Sequence, residues 1–228
     1  MARYALHRTL PFALFMAFIG LDELLRQFGD QGLIQLKSST FLYLYPVRAI
    51  AVALLLLAFR KRYTEVRPHD LLVPRHTLQS VAAGIVVFIL WVNMPWTLGF
   101  SGTPQGYDPT IIPDRLTQLT LICLRLFSAV VVVPIVEEIF WRSFVVRYII
   151  DQDFTKVPIG SFTWVSFLIS SALFGSEHHL FFAGVMAGAT YNLLLHRTRS
   201  IAQCVLAHAI TNFLLGCYVL MTRQWNFW

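Results

Sequence analysis

Charge is what this sequence has least of. Of its 228 residues only 13% are Asp, Glu, Lys or Arg, about half the share usual for a soluble domain. Hydrophobic residues make up 57%, and the mean hydropathy is +0.62. That balance excludes an ordinary soluble domain. Cysteine is scarce as well. Cys123, Cys204 and Cys217 lie in apolar runs at no metal-ligand spacing, so buried free thiols are expected. Nucleotide-binding loops, dinucleotide fingerprints, internal repeats and low-complexity segments are missing, as are the G-x-S-x-G and H-E-x-x-H patterns of serine hydrolases and zinc peptidases. The net charge of +6 does not indicate nucleic acid, because the basic residues collect in short linkers, "RKRYTEVR" (Arg60–Arg67) and "HRTRS" (His196–Ser200).

What is present is a series of apolar runs: Leu10–Leu25, Phe41–Phe59, Leu78–Leu98, Leu116–Val136, Phe162–Phe174, Leu180–Leu195 and Ile201–Met221. A helix crossing a bilayer needs about 20 mostly apolar residues. Several runs qualify, whereas Phe162–Phe174 and Leu180–Leu195 are short and would need flanking polar residues inside the membrane. The expected fold is all-α: one integral-membrane domain over residues 1–228, a bundle of about seven transmembrane helices with a range of six to eight. The N-terminal run has no small-residue cleavage site and is read as a retained first helix. The basic linkers are expected on the cytoplasmic side, and the linker Gly99–Arg115 on the other.

Within this apolar background "VVVPIVEEIFWRSF" (Val131–Phe144) places two glutamates and an arginine. A continuous helix from Leu116 to Ile150 would be about 50 Å long against a hydrocarbon core of about 30 Å, so it must tilt and protrude, or bend at Pro134. A proline there removes the amide bond to Val130 and frees a carbonyl close to the carboxylates. Glu138 and Arg142 are four apart in the favourable orientation for an ion pair. Glu137 sits about 100° around the helix, so the same arginine cannot neutralise both. That leaves Glu137 facing an interior cavity, where a carboxylate can take and return a proton. A purely structural ionic network is the other reading of the segment, but ionisable residues within spans are functional candidates by default.

Two further polar groups follow. "SSALFGSEHHL" (Ser170–Leu180) carries Glu177, His178 and His179 at the end of an apolar run. "LAHAITNFLLG" (Leu206–Gly216) puts His208 and Asn212 on one helical face, where both need hydrogen-bond partners. These residue types suit water activation: a carboxylate and an imidazole polarise a water, and a second imidazole with a carboxamide stabilises an oxyanion.

Together "EEIFWR" (Glu137–Arg142), "FGSEH" (Phe174–His178) and "HAITN" (His208–Asn212) resemble the E-E-x-x-x-R, F-x-x-x-H and H-x-x-x-N motifs of the CAAX-protease and bacteriocin-processing (CPBP, or Abi) family of intramembrane proteases. The resemblance makes residues 116–221 a catalytic core and leaves 1–115 as spans of unassigned role. "EEIFWRSF", "VPIGSFTW" and the ending "RQWNFW" also look like a bacterial subgroup associated with exosortase and PEP-CTERM sorting. The resemblance implies an endopeptidase in the bacterial inner membrane that acts on a membrane protein or peptide, in that subgroup one with a C-terminal sorting signal. By the same resemblance Glu137 is the general base and His178 its partner on the catalytic water. His208 and Asn212 position the site or bind the oxyanion, and Glu138 with Arg142 orients the first glutamate. Family members have been described both as metalloproteases and as glutamate-type proteases. Asn212 is a poor zinc ligand, which favours the metal-free form; zinc on Glu137, His178 and His208 is the other. A non-catalytic membrane protein that uses the polar cluster for binding (a chaperone, immunity factor or transporter subunit) is the alternative function.

Overall fold

The computed structural model describes residues 2–97 and 106–228; the start of the Gly99–Arg115 linker and the end of the Leu78–Leu98 run lie outside the described residues. Among the described residues there are seven helices and no strand: α1 (Ala2–Asp30), α2 (Ser38–Phe59), α3 (Pro74–Asn93), α4 (Arg115–Ile150), α5 (Trp164–Ser176), α6 (Phe181–Thr198) and α7 (Ile201–Thr222). The chain is a polytopic helical bundle. Helices α1, α2, α3, α4 and α7 are long and apolar enough to cross a membrane. The two that fall short, α5 and α6, are the runs whose length was already inadequate in the sequence.

Local chemistry sets the helix ends. Asp114 caps α4 by accepting from the Thr117 amide at 2.8 Å, and Thr163 and Ser166 cap α5 reciprocally. Both α6 and α7 stop at an arginine in the left-handed region, Arg199 and Arg223.

One end of the bundle is tied by a buried polar network. Arg8 forks onto Glu65 at 2.8 Å, and Ser143 accepts from Arg8 and Arg147 while donating to Glu65. Arg147 reaches the Val157 carbonyl, and His196 bonds the Gly160 carbonyl. The start of α1, the ends of α2, α4 and α6, and both basic linkers therefore share one end of the bundle, the arrangement that their common charge predicts.

Small residues hold α5 and α6 together. A Cβ on Gly184 would stand 2.8 Å from Gly175 Cα and 3.2 Å from His178 Nδ1, and one on Gly188 would meet Ser171. This is the close approach that a small-x-x-x-small pair allows where no hydrophobic effect drives helices together. Gly184→Val is expected to lower stability by about 1–3 kcal/mol through overpacking, and thermal unfolding of the purified protein measures it. Cys204 is buried as expected, but Cys123 is exposed on α4 and Cys217 half-buried; all three are free thiols.

Candidate active site

Helix α4 does not break at Pro134. Instead it widens into five-residue turns over Ser128–Val132 and Ile139–Val145, on either side of the turn Val133–Glu138 that carries both glutamates. The Val133 N–H bonds the Ser128 carbonyl, so the backbone adjusts just ahead of the proline instead of breaking there. A carbonyl just ahead of the proline, that of Ala129, takes a side-chain donor. Asn212 of α7 supplies it: its Nδ2 donates to Ala129 O at 2.7 Å. One amide N–H is thereby used and the second stays available. Asn212→Leu is expected to cost about 1–3 kcal/mol of stability by orphaning that carbonyl, apart from any effect on chemistry; denaturation of the purified variant reads the loss.

Glu138 and Arg142 form the ion pair that their spacing predicts, Nε to Oε2 at 3.2 Å, with both side chains fully buried. Arg142 also donates to the Gly188 carbonyl of α6 at 3.2 Å and stacks 4.6 Å from the Phe174 ring centre. The other oxygen of Glu138 bonds His208 Nδ1 at 3.0 Å. The hydrogen bond of this pair therefore goes to His208 and not to Glu137, which differs from the arrangement implied by the resemblance. Glu137 lies across the imidazole, its Oε2 3.9 Å from His208 Nε2. Arg142, Glu138, His208 and Glu137 thus form one line, with the charge of Glu138 already matched at the buried end.

A carboxylate fixes the tautomer of the histidine that it touches. Glu138 accepts from Nδ1–H, so the neutral His208 turns an unprotonated Nε2 toward Glu137. His178, at the end of α5, repeats the pattern: its Nδ1 lies 2.8 Å from the Phe174 carbonyl, which can only accept. Its Nε2 is then unprotonated as well. Rings lock both imidazoles, Tyr191 stacking on His208 at 5.2 Å and Trp91 meeting His178 edge-on at 5.1 Å. The Tyr191 hydroxyl donates to Thr211, which bonds the Gly84 carbonyl of α3.

Glu137, His178, His208 and Asn212 line one cavity of about 270 Å³. Glu138 and Arg142 lie beneath its wall, and His179 is exposed. Sequence reasoning did not assign Glu177, Trp91 and Tyr191 to the site, yet all three line the cavity. Glu177 adjoins His178 in sequence and was legible on that ground. Trp91 and Tyr191 carry no local signal, because an aromatic residue in an apolar helix reads as packing.

Zinc requires several ligands closing on one point. Among the described residues no three His, Cys, Asp or Glu side chains gather to hold a metal ion. The set Glu137, His178 and His208 does not fit zinc as arranged.

The fold and site define a polytopic helical membrane protein with a buried carboxylate–imidazole cluster facing a cavity. Residues 119–214 match the family model described as type II CAAX prenyl endopeptidase Rce1-like; this segment contains every motif residue named above. No curated protein and no solved structure matches the chain.

Proposed function

We propose that this protein is an intramembrane endopeptidase that activates water with Glu137. The observation that carries this reading is the convergence on one cavity of Glu137 and two imidazoles whose Nδ1 atoms are engaged elsewhere, by Glu138 and by the Phe174 carbonyl. A water held between Glu137 and His178 loses its proton to the Glu137 carboxylate as its oxygen attacks the scissile carbonyl. The free N–H of Asn212 donates to the oxyanion. His208 donates there too in its doubly protonated form, the Nε2 proton having come from solvent before the attack and its charge being matched by Glu138. Glu137 then returns the proton to the leaving amine. Glu138 and Arg142 act through His208, as positioning residues.

The substrate is a membrane-associated protein cleaved close to the bilayer. A C-terminal sorting signal is the narrower assignment, supported by the aromatic ending and the "EEIFWRSF" segment. Both are tested by comparing peptide termini in membranes incubated with wild-type protein and with Glu137→Gln. New termini that appear only with wild type, clustered near the C-termini of membrane proteins, are expected. If none depends on Glu137 and Glu137→Ala complements a deletion fully, the polar cluster serves binding and the hydrolytic reading fails.

A further inference from the structure

The end of the bundle that carries the basic linkers is closed. No residue of Arg60–Arg67 or His196–Ser200 lines the catalytic cavity of about 270 Å³ or its neighbour of about 430 Å³. Between Glu137 and that end the interior is packed. Phe12 of α1 stacks on Phe140 with ring centres 3.8 Å apart and meets Trp141 edge-on, and Ile139 and Trp141 are buried. Beyond them lies the network of Arg8, Glu65, Ser143 and Arg147, in which every guanidinium nitrogen of both arginines has an acceptor. The positive-inside rule makes this the cytoplasmic end.

The opposite end contributes to both cavities. Helices α3, α5 and α7 start at the basic end. The catalytic cavity is lined by Trp91 near the end of α3, by Glu177 and His178 just past α5, and by Phe227 and Trp228 beyond α7. The larger cavity shares Tyr45, Arg48, Arg125 and Trp228 with it and runs on to Tyr107, Asp108 and Ile111. Those last three belong to the linker Gly99–Arg115, which its charge places on the outer side. Arg48 and Arg125 stack on the Tyr45 ring, 4.5 and 3.9 Å from its centre, so charged and aromatic groups stand along the passage from that linker to Glu137.

The lengths of two helices are an independent sign. Helices α5 and α6 have 13 and 18 residues and rise about 20 and 27 Å, short of a hydrocarbon core of about 30 Å. The turn between them, residues 177–180, therefore lies within the membrane, yet Ser176 and His179 at that turn are exposed. Irregular backbone at that depth is tolerated only against protein or a water-filled space. We infer that water and substrate reach Glu137 from the extracytoplasmic end, so the bond cleaved lies in an exported segment of a membrane protein. The access stands on the cavities and the helix lengths; that the entering chain is cleaved rests on the hydrolytic reading.

The test measures access without cleavage. In a Cys123→Ser, Cys217→Ser background, with the buried Cys204 kept, single cysteines report which face reaches the site. Leu215→Cys and Met16→Cys probe the catalytic cavity from two helices, away from the catalytic groups. Ile111→Cys probes the outer linker and Lys61→Cys a basic one. Right-side-out and inverted membrane vesicles from one bacterial culture are treated with a membrane-impermeant, sulfonated methanethiosulfonate. Leu215→Cys, Met16→Cys and Ile111→Cys are expected to be modified in right-side-out vesicles and spared in inverted ones, where Lys61→Cys alone is modified. Modification of either cavity position in inverted vesicles, or of neither position in either preparation, overturns the inference. So does Lys61→Cys modified from the outside, because the bundle then lies the other way up. Two cavity positions on different helices keep the test decisive if one variant misfolds. Labelling needs no substrate, so the two readings fail separately. Outside labelling without Glu137-dependent termini removes only the hydrolytic reading; labelling from inside, with Glu137-dependent termini in cytoplasmic segments, removes only the access.

Discussion

Glu137→Gln is expected to slow cleavage by a factor of roughly 100 to 10,000, the usual contribution of a positioned general base, while leaving the protein as stable as wild type or more so. The two halves of this expectation have one cause. Glu137 is 5% exposed, and its Oε2 is buried with no hydrogen-bond partner. The nearest basic nitrogen, His208 Nε2, is 3.9 Å away, beyond hydrogen-bonding distance. A buried carboxylate so poorly satisfied destabilises the fold and keeps an open acceptor for the water it deprotonates. Glutamine keeps the shape, removes the charge and cannot act as a base. Rates on any substrate found by terminus mapping, read beside thermal unfolding of the same preparations, check both halves. A variant that cleaves at the wild-type rate would remove Glu137 from the mechanism. One that unfolds early would show that the carboxylate is held by contacts stronger than those described.

How much of this was legible beforehand divides along physical lines. Composition and run length gave the all-helical membrane class, because lipid leaves few ways to satisfy a backbone. They also separated the five long helices from α5 and α6. The four-residue spacing of Glu138 and Arg142 gave their ion pair, since helical geometry alone brings such residues together. The partner of Glu138 was not legible. His208 lies 70 positions along the chain, and nothing local says that it, and not Glu137, takes the second carboxylate oxygen. Pro134 announced a disturbed backbone but not its form. The widened turns and the Asn212 bond to Ala129 depend on how α7 crosses α4. Arg48 and Arg125 were in plain view as charges within spans, but they belong to no motif. Only the structure puts both against Tyr45 and beside Glu137's cavity.

The buried pair beneath the site makes the second large prediction, in which stability and activity part company. Arg142 is 1% exposed and Glu138 0%, so neither can be rescued by water when its partner is removed. Glu138→Gln or Arg142→Met alone is expected to cost about 3–5 kcal/mol, because each strands an opposite charge in the protein interior. Changing both, Glu138→Gln with Arg142→Met, removes the two charges together and should restore most of that loss, since a buried ion pair gains little over a well-packed neutral pair. Activity should not return with it. In the double variant His208 Nδ1 faces an amide instead of a carboxylate. The amide can present its NH₂ as readily as its oxygen, so the tautomer with a free Nε2 is no longer enforced, and an imidazolium has no matching charge behind it. Unfolding free energies and cleavage rates of the two single variants and the double variant form a cycle that separates these roles. Recovery of stability without activity makes Glu138 and Arg142 positioning residues for His208. Recovery of both would mean that the pair only packs α4 against α6, and that His208 is oriented by Tyr191 and the surrounding rings alone.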